Sequence, residues 1–370
     1  MELLRIFLFP LAALYGVIMR IRNKFFDWGL KKQVSFDRPV ISVGNLCAGG
    51  SGKTPMAEYL IRLLNNRYKL ATLSRGYKRK TKGFVIADSA STVSKVGDEP
   101  LQFALKFPDV IVAVDENRRR GIKNLLSMKD APAVILLDDA FQHRHVKPGL
   151  SILLTDYFKT YVHDQMLPLG MLREPVSGAK RAQAIVVTKS PRIFSPILRR
   201  QITEELNPAH DQQLFFSYVK YIGIEPVFSG VPAYSLLKSK PSAIFMLSGI
   251  ANPSPMEEYL RSVSDELIMI TFPDHHDFSH QELAGIKQRF TNYHSREKII
   301  VTTEKDAMRL RNSKTEELLK GLPLYYLLIE HEFHKEDKEK FDKMVLDFLS
   351  GFKLSERKPA ESENDSGNAE

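Results

Sequence analysis

A glycine-rich stretch over residues 41–55, ISVGNLCAGGSGKTP, constrains the fold of this chain more than any other part of the sequence. The apolar run at its start predicts a short buried strand, and apolar residues return at helical spacing after Lys53. A strand, a glycine loop and a helix that begins at Gly-Lys-Thr are typical of the phosphate cradle of P-loop enzymes. The stretch therefore predicts a nucleoside triphosphate site, and the alternative is an ordinary glycine-rich turn.

The residues of this loop have expected roles. Backbone N–H groups converge on an anion where no Cβ atom interferes, and the helix N-terminus adds positive charge. Lys53 would reach the β- and γ-phosphates, and Thr54 would hold Mg²⁺. Cys47 stands where a strict GxxxxGK[ST] motif has glycine, and its place near the helix N-terminus predicts a thiol of lowered pKa. The expected backbone ligands of the phosphates are Gly49, Gly50, Ser51 and Gly52.

Length and composition narrow the class of protein. A chain of 370 residues is long for one domain and sufficient for two. Its single cysteine excludes an internal disulfide framework, which favours a reducing, cytosolic setting. The net charge of +9 suits an anionic partner, whether nucleic acid, a membrane surface or a phosphorylated substrate.

The N-terminal region, residues 1–35, carries an apolar run over 6–19 that is too short to span a membrane, which takes about 20 residues. Arginine, lysine and aromatic residues follow the run, so a cleaved signal peptide is not indicated. We expect a helix that lies in the membrane interface, with its cations on anionic headgroups. The alternative is a helix buried against the rest of the protein.

Short apolar runs separated by helical patterns continue along the chain and predict an α/β fold. We assign residues 36–180 to a lobe with a P-loop NTPase-like parallel sheet, and residues 181–350 to a second α/β lobe. The polar residues 351–370 have no apolar face and predict a disordered tail.

Two pairs of carboxylates are candidates for the chemistry of the site. Asp98 and Glu99 lie in a VGDEP turn before a helical pattern, where Asp98 either caps the helix or acts as a general base for a hydroxyl nucleophile. Asp138 and Asp139 follow the apolar run AVILL, so they lie at the carboxyl end of a buried strand, near Mg²⁺.

Further polar residues are candidates for substrate contacts. Arg119 is one of three successive arginines that point in different directions around a helix, so at most two of them serve one anion. Arg173, in a loop punctuated by proline and glycine, is either a surface ion-pair partner or an anion contact. Asp139 and Gln142, which follow the apolar run AVILL, are further candidates.

Seven segments in this order resemble one family, the tetraacyldisaccharide 4′-kinases, which are the lipid A 4′-kinases of Gram-negative bacteria. The resemblance runs from the N-terminal helix to about residue 350, and Ala140-Phe141 stands where family members often have Gly-Leu. The segments are VGNLCAGGSGKTP, LSRGY, VGDEP, LLDDAFQH, LPLGMLREP, FPDHHDF and VTTEKD.

The resemblance implies transfer of the γ-phosphoryl group of ATP to the 4′-hydroxyl of a tetraacylated glucosamine disaccharide 1-phosphate, in lipid A biosynthesis. It implies ATP and Mg²⁺ as cofactors, two α/β lobes joined partly through a small β linker, and a place at the cytoplasmic face of the bacterial inner membrane. It also implies Asp98 as the catalytic base with His275 as its partner, Glu99 or Asp138 as Mg²⁺ ligands, and Arg173 at the anionic end of the substrate. We expect no nucleic-acid partner and no obligate protein partner.

A second hypothesis is a P-loop switch ATPase that binds the membrane through residues 1–35 and partner proteins through its second lobe. Such a protein would have no small-molecule acceptor, and Asp98 and His275 would be only helix caps or surface groups. A GTPase is disfavoured, because Glu304 displaces the lysine of TTEKD by one position from the guanine-reading pattern Asn/Thr-Lys-x-Asp.

Overall fold

The structure, a computed structural model, describes residues 2–274, 276–295, 297–311 and 313–354. The helices are α1 Glu2–Asp27, α2 Lys53–Leu64, α3 Val93–Val96, α4 Asp98–Lys106, α5 Arg118–Leu126, α6 Pro196–Leu206, α7 Ser254–Ser262, α8 His280–Asn292, α9 Glu304–Leu310, α10 Ser313–Leu319 and α11 Lys335–Ser350. The strands are β1 Val40–Asn45, β2 Leu70–Ser74, β3 Val85–Ala87, β4 Ile111–Val114, β5 Val134–Asp138, β6 Leu150–Asp156, β7 Ala184–Thr188, β8 Gln213–Pro226, β9 Ala243–Ser248, β10 Glu266–Thr271, β11 Lys298–Thr303 and β12 Leu324–Phe333.

The described strands form one sheet in the order β10-β9-β11-β12-β8-β7-β6-β1-β5-β2-β4-β3. β1, which leads into the glycine loop, lies between β5 and β6 and is parallel to both. The strands from β7 to β4 are parallel, and β3 adds an antiparallel edge. The predicted α/β class with a large parallel sheet is therefore confirmed. The parallel strands bring their carboxyl ends to one edge, where ligands bind in open α/β sheets.

One long strand joins the two halves of this sheet. Residues 213–216 of β8 pair in parallel with β7, and residues 217–226 pair antiparallel with β12. β12 continues into the parallel group of β11, β9 and β10. The backbone hydrogen bonds of β8 are thus shared between the halves, which makes the connection a strand rather than a flexible loop.

The assignment of residues 181–350 to a second lobe stays a prediction. In the structure β7 pairs with β6, beside the P-loop strand. The C-terminal helix α11 packs against β8 and β12, the two strands that connect the halves. Two other predictions, the role of His275 and the disorder of the tail, fall on positions that lie outside the described residues, namely 275 and 355–370.

The core forms around the predicted apolar runs. Every residue of β1 and β5 is buried, as expected for parallel strands covered on both faces. α2 packs on the sheet through Met56, Leu60 and Ile61, which recur at helical spacing and are fully buried. This packing fixes the first turn of α2, and with it Lys53 and Thr54, at the end of β1.

The N-terminal helix α1 is only partly covered by the rest of the protein. Phe26, near its end, is buried, whereas Phe7, Leu14 and Ile18 are mostly exposed. The helix is therefore not buried along its length, although part of it packs on the rest of the protein. Among the described residues, no helix combines the length and the apolar character needed to cross a membrane.

Candidate active site

The glycine loop after β1 has a conformation that depends on its glycines. Gly49 and Gly52 lie in the left-handed region, with φ of 111° and 79°, where an L side chain is strained. A Cβ atom at Gly49 or Gly50 would meet no other atom within 4 Å, so this part of the loop is open to a ligand. Behind it, Asn45 Nδ2 donates to Ser51 Oγ at 2.8 Å and ties the loop to the strand.

A second loop packs along the outer side of this cradle. The N–H of Ala48 donates to the carbonyl of Met171 at 2.7 Å, and Cys47 pairs with Leu172 in an isolated antiparallel bridge. Burial, followed by the charge of Asp164, raises the pKa of the Cys47 thiol to about 12. The prediction of a lowered thiol pKa is wrong, because the side chain packs against an apolar cluster and lies near the carboxylate of Asp164.

The first two residues of α2 face carboxylates. Lys53 Nζ lies 3.8 Å from Asp139 Oδ1, and Thr54 Oγ1 donates to Glu99 Oε1 at 3.3 Å. Burial acts to raise the pKa of Asp139, but Lys53 and Arg173 outweigh it and lower that pKa. Asp139 is therefore an anion at neutral pH and offsets part of the positive charge at the mouth of the cradle.

Asp138 ends β5 as a buried carboxylate, 2% exposed, and neither of its side-chain oxygens has a hydrogen-bond partner. Burial first, and then the charges of Glu99 and Asp139, raises its pKa. The nearby buried Arg118 donates to the backbone carbonyl of Asp138, at 3.5 Å, and leaves the carboxylate oxygens to another partner. Buried polar atoms are nearly always satisfied, so these two oxygens fit a bound cation.

Within the residues that the structure describes, no three His, Cys, Asp or Glu side chains converge to make a complete metal site. A Mg²⁺ site of the P-loop kind does not require one, because Mg²⁺ keeps several waters and takes one or two protein ligands plus phosphate oxygens. Thr54, Glu99 and Asp138 can provide the protein's share of such a site.

Asp98 is buried at the start of α4 and meets a cation from the other half of the sheet. The N-cap of α4 is Gly97, with φ of 97°, so the alternative in which Asp98 is the cap is wrong. One carboxylate oxygen of Asp98 accepts from the N–H of Glu99 at 3.0 Å, and the other accepts from Arg309 of α9 at 2.5 Å. Arg309 in turn donates to Asp306 at 2.6 Å. The candidate base is therefore held from both halves.

The predicted substrate contacts lie near α1, with one exception. Arg173 donates to both carboxylate oxygens of Asp139, at 3.0 and 3.1 Å. Gln142 donates to the carbonyl of Asn45 at 2.7 Å and to Glu174 at 3.0 Å. The exception is the exposed arginine on the first turn of α5, Arg119.

Glu174 connects this group to α1. It is fully buried, and it accepts hydrogen bonds from Arg181 at 2.8 and 2.9 Å and from Asn23 of α1 at 3.1 Å. Tyr15 of α1 also donates to the carbonyl of Arg173 at 2.8 Å. The C-terminal part of α1 is thereby fixed to the loop that borders the cradle.

Comparison with known proteins agrees with this geometry. Residues 4–350 match the LpxK family, described as tetraacyldisaccharide-1-P 4′-kinase. The chain belongs to this family. It is therefore an enzyme, a kinase of the phosphotransferase class.

Relatives in the tetraacyldisaccharide 4′-kinase family match nearly the whole chain. The tetraacyldisaccharide 4′-kinase of Flavobacterium johnsoniae is 49% identical over 349 residues, which are 94% of this chain and 98% of that protein. The one of Bacteroides thetaiotaomicron is 46% identical over 352 residues, 92% of each chain. The crystal structure of LpxK from Aquifex aeolicus in complex with ATP superposes with a TM-score of 0.69 at 30% identity, over 94% of this chain and 99% of that one.

Two residues of this kinase site escaped the sequence analysis. The sequence allows Glu174, next to Arg173, to be either a surface ion-pair partner or part of an anion contact, yet it is buried among donors. Arg309 lies outside the seven family segments, three positions after the end of VTTEKD. A sequence signal exists for the second residue: Asp306 and Arg309 are three positions apart, which places them on one helix face where they form an ion pair.

Proposed function

We propose that this member of the family transfers the γ-phosphoryl group of ATP to the 4′-hydroxyl of tetraacyldisaccharide 1-phosphate, a step of lipid A biosynthesis. The observation that carries the proposal is the arrangement at the carboxyl edge of the sheet. An open glycine cradle ends there in Lys53 and Thr54, and the carboxylates of Glu99, Asp138 and Asp139 lie beside them. The family names and the ATP bound to the relative from Aquifex aeolicus support the same nucleotide.

Each part of the cradle has a role in phosphoryl transfer. The loop N–H groups and Lys53 would bind the phosphates and stabilise the charge on the transferred group. Thr54, Glu99 and Asp138 would hold Mg²⁺, which neutralises phosphate charge when it is bound. The two unpaired, buried oxygens of Asp138 support this assignment.

Asp98 is the proposed general base. It would accept the proton of the 4′-hydroxyl as that oxygen bonds to the γ-phosphorus and the bond to the bridging oxygen of ADP breaks. Arg309 fixes the direction of the carboxylate from the other half of the sheet. We assign His275 as the partner of Asp98, and Arg173, Gln142 and Arg119 as candidate contacts to the substrate.

The cradle assignment is tested with Lys53→Ala. We expect kcat to fall by about 10²-fold or more, because a donor aimed at developing charge typically contributes that much. The measurement is transfer of radiolabelled phosphate from ATP to the lipid disaccharide in detergent micelles.

Lys123→Ala, at an exposed lysine on α5, is the matched control and should leave kcat unchanged. A Lys53→Ala enzyme with more than about a tenth of the wild-type rate contradicts the assignment. Lipid-independent ATP hydrolysis without transfer would favour the switch ATPase.

We further propose that α1 binds the cytoplasmic face of the inner membrane. Its exposed side chains include Phe7, Leu14 and Ile18, and cations such as Arg20 and Lys24 lie nearer its C-terminal end. Apolar side chains and cations on one helix suit an interface of acyl chains and anionic headgroups. Because the acyl chains of the substrate remain in the bilayer, a helix fixed beside the cradle would bring the 4′-hydroxyl and the ATP site together.

The membrane proposal is tested with the double substitution Leu14→Glu and Ile18→Glu. Burying one such side chain is worth about 1.5–3 kcal/mol, so binding to vesicles that contain phosphatidylglycerol should weaken about tenfold or more. KM for the lipid should rise while KM for ATP stays the same. Leu237→Glu, on a leucine elsewhere that is more exposed than either of these residues, should change neither vesicle binding nor KM. Unchanged vesicle binding by the double variant would contradict the proposal.

Point substitutions are preferable here to deletion of the helix. Tyr15 donates to the carbonyl of Arg173, and Arg22 donates to the carbonyl of Gln142 at 2.7 Å. Removing the helix would therefore disturb the loops that border the cradle, and a loss of activity would have two explanations.

A further inference from the structure

Two residues at the end of β7 hold the cradle by its carbonyl groups. Thr188 Oγ1 donates to the carbonyl of Ser51 at 3.0 Å. Lys189 Nζ donates to the carbonyl of Gly50 at 2.5 Å and pairs with Asp156 at 2.7 Å. These bonds turn the carbonyls of Gly50 and Ser51 towards β6 and β7 and hold them away from the phosphates. The function described above does not use either residue.

Lys189 is fixed in an unusual position. Its φ of 59° places a non-glycine residue in the left-handed region, which costs about 1 kcal/mol or more and persists where the surroundings require it. Its ammonium group is bound by a carbonyl and a carboxylate, so its methylene stem runs from the end of β7 to the glycine loop. That stem is an apolar surface next to the cradle.

The proposed direction of the nucleotide brings its base to this surface. β1 has β5 on one side and β6 on the other. The groups assigned to the γ-phosphate and Mg²⁺, namely Glu99, Asp138 and Asp139, are at the end of β5 or reach Thr54 from α4. The ribose and base must then leave the cradle on the opposite side, over the ends of β6 and β7.

Two large apolar side chains are exposed on that side. Phe158 is 71% exposed and Ile193 is 94% exposed. The segments that carry them lie side by side, because the N–H of Tyr157 donates to the carbonyl of Thr188 at 2.9 Å. The ring of Tyr157 also packs against Phe158 and against the residue after Ile193, with centroids 5.1 and 5.7 Å apart.

We propose that Phe158, Lys189 and Ile193 form the subsite for the purine base of the nucleotide, with the lysine stem as its floor. This inference rests on the proposed function, since it assumes that ATP lies in the cradle. Bases stack on aromatic and apolar side chains, and such stacking does not depend on the base edge.

The test compares two ligands that differ in the base. Isothermal titration calorimetry measures the Kd of Mg-ATP and of Mg-tripolyphosphate, which has the phosphates alone, for the full chain. Phe158→Ser and Ile193→Ser should each raise the Kd of ATP about tenfold and leave the Kd of tripolyphosphate unchanged. Leu237→Ser, an exposed leucine elsewhere in the chain, should change neither value.

Two substitutions at Lys189 separate its two roles, the apolar floor of the subsite and the support of the glycine loop. Lys189→Met keeps an apolar stem but loses both polar bonds. It should therefore raise the Kd of ATP and the Kd of tripolyphosphate by the same factor. Lys189→Ala loses the stem as well and should weaken ATP further, by about another tenfold.

The outcomes separate the two proposals. If Phe158→Ser and Ile193→Ser bind ATP like the wild type, the base lies elsewhere, and the kinase assignment stands. If these two variants lose affinity for ATP and for tripolyphosphate by the same factor, the subsite is also overturned, because an equal loss indicates damage to the cradle. A wild-type protein that binds neither ligand overturns the proposed function and the subsite with it.

Discussion

Replacing Asp98 with asparagine is expected to lower kcat by about 10²- to 10⁴-fold, the range that a positioned general base contributes. KM for ATP should change little, because Asp98 lies on α4 and not in the glycine loop. Asparagine retains an oxygen that can accept from the N–H of Glu99, so the start of the helix is preserved while the base is lost. Steady-state kinetics on the lipid disaccharide in micelles measures both constants.

The partner of Asp98 is tested in the same series. If His275 orients the base, His275→Ala should also lower kcat, and the double variant should be scarcely slower than Asp98→Asn, since residues that act as a unit lose their effects non-additively. Asp347→Asn, an exposed carboxylate on α11, is the control and should be neutral. Losses that multiply would show that His275 acts elsewhere, on the sugar or on a phosphate.

The cradle could be predicted because its signal is local. Strand, loop and helix lie within fifteen consecutive positions, residues 41–55, and each has a pattern of its own. Asp138 and Asp139 could be placed nearby without any contact information, because parallel strands end at one edge of the sheet. The sequence could not predict that both side-chain oxygens of Asp138 are buried without a hydrogen-bond partner. That depends on which donors from other elements lie close to them.

The missed residues depend on contacts between distant parts of the chain. Asn23 and Glu174 are 151 positions apart, and Asp98 and Arg309 are 211 apart. A charge in a loop or on a short helix is usually solvated, so sequence alone favours the exposed interpretation. Burial and pairing here result from how α1 and α9 pack against the P-loop half, which no local pattern contains.

TTEKD illustrates the same limit. Its comparison with a guanine-reading motif correctly disfavoured a GTPase, but gave the segment no role. In the structure Glu304 pairs with Lys106 of α4, Lys305 lies 3.5 Å from Glu99, and Asp306 pairs with Arg309. The segment therefore joins the second half of the sheet to the helix that begins with the candidate base.

Lys106→Met is expected to lower the free energy of unfolding by about 3–5 kcal/mol at pH 8, the usual result of removing one partner from a buried ion pair. Lys106 Nζ lies 2.8 Å from Glu58 of α2 and 2.8 Å from Glu304 of α9. Both carboxylates are buried, and methionine would keep the volume of the lysine but not its charge. Two carboxylates from different halves of the sheet would then face each other without the cation between them.

The loss of unfolding free energy in Lys106→Met should depend on pH. Burial, and then the charge of Glu58, raises the pKa of Glu304 from 4.5 to about 7, whereas Lys106 lowers it. A carboxyl group whose pKa is raised in the folded state binds its proton more tightly there, so its contribution to stability is full below pH 4.5 and is lost as the pH rises through about 7. Without Lys106 the pKa of Glu304 rises further, and the loss extends to higher pH.

Urea titrations at pH 5 and pH 8 measure this difference in unfolding free energy. The gap between wild type and Lys106→Met should be smaller at pH 5, where Glu304 is protonated in the folded state, and larger at pH 8. Lys123→Met, on an exposed lysine of α5, should stay within about 0.5 kcal/mol of wild type at both values. A gap of the same size at pH 5 and pH 8 would mean that Glu304 does not titrate in this range, and that the loss arises from Glu58 alone. Because Glu58 lies on the P-loop helix and Glu304 lies in TTEKD, the pH dependence reports specifically on the contact between the two halves.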